Sequence, residues 1–172
     1  MLGAPVASWG AREMACQHVL AQRKVVMSDD ALTAHTDLAG TPHSAPLGRL
    51  FVREHLRRRL AAEVLVTAEL LTTELITNAV RHAGTSIHLG VTCDADNLLV
   101  TIEDHSPVAP VERQAIADDV TVSGRGLRVI AALAADFGWS PLPDGSGKVT
   151  WFALALTQAL PEQRGHDGVP AG

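Results

Sequence analysis

The chain has 172 residues, a length typical of one domain, and 47% of them are hydrophobic, so a substantial apolar core can form. Its net charge of -5 argues against a general nucleic-acid binder, since such proteins usually carry a basic surplus. No apolar run reaches the ~18 residues of a membrane span, the N-terminus does not resemble a signal peptide, and two cysteines do not make a disulfide framework. Composition therefore predicts a cytoplasmic protein that binds neither nucleic acid nor membrane directly.

The first 45 residues show no clean hydrophobic period. Residues 28–46 are rich in Ser, Thr, Asp, Gly and Pro, which predicts a loop. We interpret residues 1–45 as an extension of unknown role, residues 46–157 as the domain and residues 158–172 as a disordered tail. Whether Met27 is the native start stays open.

Two helices are predicted next. Residues 44–60 have a candidate N-cap in Ser44, with Pro46 in the first turn. Their expected apolar stripe consists of Leu47, Leu50, Phe51 and Leu60. The second helix covers about residues 61–83, and Gly84 is well placed to end it.

Strands follow Gly84. Residues 86–94 and 97–104 alternate apolar and polar side chains around a polar turn, which predicts a hairpin. A loop over 105–124, a helix over 125–138, a turn over 140–147 and a buried strand over 148–156 complete the prediction. This order favours an α+β, two-layer sandwich with a mostly antiparallel sheet.

The segment "TELITNAVRHAG", residues 73–84, places Glu74, Asn78 and His82 four residues apart, so they share one face of the second helix. They could simply form a solvated polar face. However, an Asn amide oxygen can bind Mg²⁺, and a Glu one turn earlier can act as a general base. Arg81 or His82, one turn later, can contact phosphate.

Three further segments are individually ordinary. Asp104 ends a strand, "SGRGL" opens a helix at residues 123–127, and "GSGKVTW" enters the last strand. A strand-end carboxylate can accept a hydrogen bond from a ligand amino group, such as that of a purine. Glycines at a helix N-terminus let a phosphate approach the backbone amides.

Taken in this order, the four segments resemble the Bergerat-type ATP site of the GHKL superfamily. The chain looks most like the bacterial anti-sigma factor serine/threonine kinases over roughly residues 46–156. The resemblance implies a fold of the histidine kinase/Hsp90-like ATPase type, with helices on one face of the sheet. It also implies ATP and Mg²⁺ as ligands.

The resemblance implies a role for each matching residue. Glu74 corresponds to the catalytic base, Asn78 to the Mg²⁺ ligand and Asp104 to the carboxylate that reads the adenine amino group. Residues 105–122 correspond to the lid over ATP. The remaining matches are Arg81 and His82 near the phosphates, Gly124, Arg125, Gly126 and Leu127 in the phosphate-side loop, and Thr150 near adenine.

One departure from the family pattern follows Asp104. The usual motif is Asp-x-Gly-x-Gly, whereas this chain has Asp104-His105-Ser106-Pro107. Glycine would let the backbone approach the nucleotide without a side chain, so its absence is expected to weaken ATP binding.

The resemblance leaves several functions open. The first is a kinase that binds a sigma factor and phosphorylates an antagonist protein. The second is an ATP-binding module that sequesters a partner without phosphoryl transfer. The others are an isolated histidine-kinase-like ATPase domain and a plain α+β domain with accidental motifs. A homodimer is compatible with the family.

Overall fold

The computed structural model describes residues 31–106 and 125–156, without the side chains of residues 125–128. None of the described helices is long and apolar enough to cross a membrane. The elements, in chain order, are β1 (Leu32–Leu38), α1 (Ser44–Leu56), α2 (Ala62–His82), β2 (Ile87–Cys93), β3 (Asn97–Asp104), α3 (Arg125–Leu133), β4 (Asp136–Pro141) and β5 (Lys148–Ala155).

The strands form one five-stranded sheet in the order β1-β2-β3-β5-β4. Every neighbouring pair is antiparallel. The predicted α+β class with an antiparallel sheet is therefore confirmed. One row of register partners crosses the end of the sheet and consists of Leu38, Ile87, Asp104, Lys148 and Pro141.

Side chains alternate between the two faces of the sheet because successive residues of a strand point to opposite sides. One face joins buried residues of the described helices in the main hydrophobic core. Its buried strand residues are Leu38, Ile87, Leu89, Val91, Cys93, Leu98, Val100, Ile102, Phe152 and Leu154. The opposite face carries a second buried cluster of Leu99, Val149, Trp151 and Ala153.

Helices α1 and α2 pack closely against each other. A Cβ on Gly48 of α1 would lie 2.1 Å from Cδ1 of Ile76 on α2, so the missing side chain permits this approach. Arg53 adds a two-pronged ion pair, with its Nε 2.7 Å from Glu69 Oε1 and its Nη2 2.6 Å from Oε2. Glu69 is buried, and its hydrogen bond raises the pKa of Arg53. The pair therefore satisfies a carboxylate that would otherwise be buried without a partner.

Helix α2 ends as its sequence predicts. The amide of Ala83 donates to the carbonyl of Ala79, and Gly84 follows with a φ of 61°. This left-handed conformation suits glycine at the end of a helix because glycine has no Cβ. The chain then turns directly into β2, so the C-terminal end of α2 lies at the same end of the sheet as Ile87.

Two elements differ from the sequence prediction. The predicted loop over residues 28–46 contains β1, which pairs with β2 along its whole length. The predicted helix over residues 125–138 ends at Leu133, and Asp136–Pro141 forms edge strand β4. Both strands lie at sheet edges, where short polar segments are tolerated because one side needs no partner strand.

Two predictions for α1, its N-cap residue and its inward-facing residues, were also wrong. Helix α1 begins at Ser44, so Ser44 is not its N-cap, and its hydroxyl bonds to the carbonyl of Ala39 instead. Leu47 and Leu50 are 53% and 51% exposed, whereas Val52 and Leu56 are fully buried. The stripe that packs inward therefore runs along a neighbouring side of the helix.

The single described cysteine, Cys93, is a free thiol in the core. Burial raises its pKa. A buried thiol of this kind behaves as a small apolar side chain.

Adjacent leucines on α2 test the orientation of the helix. Leu71 is fully buried and Leu70 is 41% exposed. Leu71→Ala should lower the free energy of unfolding by about 2–5 kcal/mol, because it leaves a cavity in the core. Leu70→Ala should cost under about 1 kcal/mol, since a partly exposed site loses fewer contacts. Urea unfolding monitored by circular dichroism measures both, and equal losses would contradict this orientation.

Candidate functional site

A buried ion pair lies at one end of the sheet, on the face that carries the helices. Asp104, the last residue of β3, is 1% exposed, and Lys148, the first residue of β5, is 3% exposed. The antiparallel register makes the two residues direct partners. Lys148 Nζ donates to Asp104 Oδ1 at 2.8 Å. Burial is compatible with these charges because each compensates the other.

The backbone after Asp104 closes around the same carboxylate oxygen. The amide of Ser106 donates to Asp104 Oδ1 at 2.9 Å, and the carbonyl of Ser106 accepts from Lys148 Nζ at 3.3 Å. Gly147 completes the packing, since a Cβ there would lie only 2.0 Å from the carbonyl oxygen of Asp104. A compact turn therefore occupies the place where the family pattern has glycines, and it needs glycine on the opposite strand instead.

The second oxygen of Asp104 has no hydrogen-bond partner in the part of the chain that the structure describes. Among the buried side chains of the described segments, only Asp104 Oδ2 and Thr72 Oγ1 lack one. Thr72 lies within α2, where a hydroxyl can turn to a backbone carbonyl of the previous turn. Asp104 Oδ2 has no such local option, and an unpaired buried acceptor is costly. It is therefore suited to a donor group of a ligand.

A short turn positions Lys148. The amide of Leu142 donates to the carbonyl of Gly147 at 2.9 Å, and Gly145 adopts a φ of 71°. The Ser146 hydroxyl and amide both donate to Asp144, which lowers the pKa of this carboxyl. Because the turn closes immediately before β5, Lys148 enters the sheet opposite Asp104.

Helix α2 presents its polar residues beside the buried stripe. Glu74 and Asn78 are partly exposed, and Arg81 and His82 are exposed. Within the described part of the chain, neither Glu74 nor Asn78 has a side-chain hydrogen bond. The end of α2 is tied to the Asp104 end of the sheet, since the amide of His105 donates to Thr85 Oγ1 at 3.2 Å.

Thr150 lies one row further into the sheet. Its register partner is Ile102, and its hydroxyl donates to the carbonyl of Ile102 at 3.3 Å. It shares the helix-carrying face with Asp104 and Lys148 because the three positions alternate in phase. Among the described residues no hydrogen bond joins Thr150 to Asp104, so the structure brings Lys148, rather than Thr150, into contact with that carboxylate.

Much of the predicted phosphate-side region lies outside the described residues. Gly124 and most of the predicted lid, from residue 107 onward, belong to that part. The backbone of Arg125, Gly126 and Leu127 forms the first turn of α3, which packs against α2. The predicted helix start in "SGRGL" is thus confirmed for the backbone.

The described part of the site offers groups that suit a nucleotide and a metal. Asp104 Oδ2 offers an acceptor for a purine amino group. The described residues contain no group of three His, Cys, Asp or Glu side chains that could hold a metal ion. Mg²⁺ commonly binds with only one or two protein oxygens, together with phosphates and waters. Asn78, with its unbonded amide, fits that mode of binding.

Sequence patterns did not assign a role to Lys148. Lys148 belongs to the "GSGKVTW" segment that contributes to the family resemblance, but the resemblance implies no role for it. One signal was available: a lysine that begins an otherwise apolar strand needs a buried counter-charge or a solvent-exposed end. Antiparallel pairing of this strand with the one ending at Asp104 supplies that charge.

Comparison with known proteins identifies the family. The family model described as "Histidine kinase-like ATPase domain" matches residues 38–154. The solved structure of the cytoplasmic segment of histidine kinase QseC is 16% identical, with a TM-score of 0.33, and the match covers 90% of this chain and 97% of that one. No curated protein matches the sequence. Because the family match spans more than half of the chain, this protein belongs to the histidine kinase-like ATPase domain family of the GHKL superfamily, whose domains bind ATP.

Proposed function

We propose that this protein is an ATP-binding regulatory protein that acts as a serine/threonine kinase of the anti-sigma factor type. The observation that carries the proposal is the buried, unpaired oxygen of Asp104. It lies at the end of the sheet to which the C-terminal end of α2 is tied, and α2 carries Glu74 and Asn78. One end of the domain thus combines a base-reading acceptor with the residue types needed near phosphates.

The adenine base is held by Asp104. Its Oδ2 accepts a hydrogen bond from the exocyclic amino group, while Oδ1 stays occupied by Lys148 and Ser106. A hydrogen bond to a charged acceptor in a buried site is stronger than a neutral one. Thr150, one row further into the sheet on the same face, would lie near the base.

The phosphates extend from the base toward α2. Asn78 would hold Mg²⁺ through its amide oxygen, and the metal would neutralise part of the phosphate charge. Arg81 and His82, one turn further along α2, face the phosphates. The backbone amides at the start of α3, from Arg125 to Leu127, would form the opposite side of the phosphate site, to which the sequence pattern also assigns Gly124.

Glu74 is the general base of the transfer reaction. It accepts the proton of a serine or threonine hydroxyl on the antagonist protein. The hydroxyl oxygen forms a bond to the γ-phosphorus as the bond between that phosphorus and the ADP oxygen breaks. Glu74 is partly exposed and has no side-chain hydrogen bond within the described part of the chain, so its carboxylate is available to accept that proton.

The partners follow from the resemblance to anti-sigma kinases. They are a sigma factor, which the protein sequesters, and an antagonist protein, which it phosphorylates, in the cytoplasm and with a homodimer as the expected assembly. A second candidate is an ATP-dependent binding module without transfer. The compact Asp104–Ser106 turn favours this alternative, because it replaces glycines that the active family members carry in this position.

Glu74→Gln distinguishes the two candidates. It should lower phosphoryl transfer roughly 100-fold or more, since a general base contributes 10²–10⁴-fold. ATP affinity should stay nearly unchanged, because the carboxylate acts on the acceptor hydroxyl. The measurement is transfer of ³²P from γ-labelled ATP to candidate antagonist domains, with ATP binding by calorimetry in parallel.

The matched control is Glu63→Gln, which removes an exposed carboxylate from the first turn of the same helix. It should leave transfer unchanged. Full transfer activity in Glu74→Gln would remove Glu74 from the mechanism. ATP binding without any transfer by the unaltered protein would favour the binding module.

Asn78→Ala tests the metal site. In Mg²⁺, this variant should bind ATP roughly 10-fold more weakly, a loss of about 1.4 kcal/mol, because one metal ligand is removed. In EDTA, the variant and the unaltered protein should bind ATP alike. Calorimetric titration under both conditions gives the comparison.

The control is Thr77→Ala, at the adjacent position, where the hydroxyl only bonds to the carbonyl of Thr73 within the helix. This variant should retain Mg²⁺-dependent ATP affinity. A loss of affinity in Asn78→Ala that is equally large in EDTA would show that Asn78 does not act through the metal.

A further inference from the structure

Lys148 is held entirely inside the protein. Its side chain is 4% exposed, and the carboxylate of Asp104 that it contacts is 1% exposed. Two of the three N–H donors of the ammonium are used, one on Asp104 Oδ1 and one on the carbonyl of Ser106. Both contacts hold the same short segment, so Lys148 fixes the position of the carboxylate as well as compensating its charge.

The two oxygens of Asp104 consequently have different surroundings. Oδ1 accepts from both Lys148 Nζ and the Ser106 amide, whereas Oδ2 accepts from no donor among residues 31–106 and 125–156. An ionised carboxylate has acceptors only, and it becomes a donor once it is protonated. Lys148 Nζ and Asp104 Oδ1 form an ion pair at 2.8 Å, in which Oδ2 is an acceptor only.

We infer that Lys148 is a positioning residue that determines base specificity: by pairing with Oδ1 of Asp104 and fixing the orientation of this carboxylate, it presents Oδ2 as an acceptor, so that the site accepts a purine with an amino group and rejects one with a carbonyl at the same place. The inference rests on the proposed binding of a nucleotide base at Asp104. It concerns which nucleoside triphosphate is bound, rather than whether phosphoryl transfer occurs.

The physical basis is the polarity of a single hydrogen bond. The amino group of adenine donates a hydrogen bond to a carboxylate oxygen. The carbonyl oxygen of hypoxanthine or guanine is itself an acceptor, so it cannot bond to that carboxylate oxygen. When a buried acceptor meets a second acceptor instead of a donor, it stays without a hydrogen bond. The free-energy cost of such an unpaired group is larger than the gain from one well-made hydrogen bond. Without Lys148, Asp104 would be buried without its counter-charge and without the contact that fixes its orientation, so Oδ2 would no longer be held as the acceptor for the amino group.

The experiment compares ATP with inosine triphosphate, which differs in carrying a carbonyl in place of the amino group. Both are titrated with Mg²⁺ into the full chain by calorimetry. The unaltered protein should bind ATP roughly 10- to 100-fold more tightly. Lys148→Met, which removes charge and donors at similar length, should reduce this preference to within about threefold.

Lys148→Gln separates charge from hydrogen bonding, because it keeps a donor near Oδ1 but carries no charge. It should lose the preference as Lys148→Met does, and it provides a second test if the methionine variant does not fold. Ser146→Ala is the matched control, since Ser146 is exposed in the turn preceding Lys148 and bonds only to Asp144. It should keep the full preference. Thermal unfolding establishes that each variant is folded.

Three results would overturn the inference. Folded Lys148→Met or Lys148→Gln with an unchanged preference for ATP would show that the lysine serves packing alone. An unaltered protein that binds both nucleotides equally would remove base selection by Asp104 while leaving nucleotide binding in place. An unaltered protein that binds neither nucleotide at millimolar concentration would end both the inference and the proposed function.

Discussion

The site depends on one constraint, the antiparallel pairing of β3 with β5. Its register places the last residue of one strand, Asp104, opposite the first residue of the other, Lys148. Two charges are therefore buried together at the end of an apolar sheet, where each requires the other. The pair accounts for the close approach of Gly147 to the carbonyl of Asp104. It also accounts for the hydrogen bond from the Ser106 amide to Asp104 Oδ1. A carboxylate with one occupied and one free oxygen is the result.

Helix α2 connects that carboxylate to the rest of the site. Its buried stripe packs on the central strands, and its partly exposed border carries Glu74 and Asn78. The sharp ending at Gly84 sends the chain directly into β2, and Thr85 bonds to the segment after Asp104. The helix that would address the phosphates and the strand that would address the base are thus joined by a short, well-bonded connection. The affinity of a ligand that contacts both the helix and the strand would depend on the position of one relative to the other.

The fold was largely predictable where the hydrophobic period was strong. The long helix α2, its glycine terminus and the hairpin of β2 and β3 all follow from local patterns. Edge strands β1 and β4 were missed because their stability comes from pairing with β2 and β5, which a local pattern does not contain. Leu47 and Leu50 were placed inward because apolar residues occur on two sides of α1, and only packing selects between them.

The candidate site was predictable where its residues lie in local sequence motifs, but not where they meet through strand pairing. Asp104, Glu74 and Asn78 were found because they belong to recognisable motifs, and their assigned roles stay predictions. The contact between Lys148 and Asp104 was missed because the residues are 44 apart in sequence. Only the strand register brings them together. The phosphate-side residues from Gly124 onward were predicted from a glycine pattern, and of these only the backbone start of α3 is described.

Titration of the purified, unaltered protein with ATP, with and without Mg²⁺, tests the central claim most directly. The account predicts saturable binding at one site per chain that is tighter in Mg²⁺, because a carboxylate reads the base and an amide holds the metal. Isothermal calorimetry gives the stoichiometry and both affinities in one series. Absence of binding at millimolar ATP would contradict the account, and the domain would then have to act through protein contacts alone.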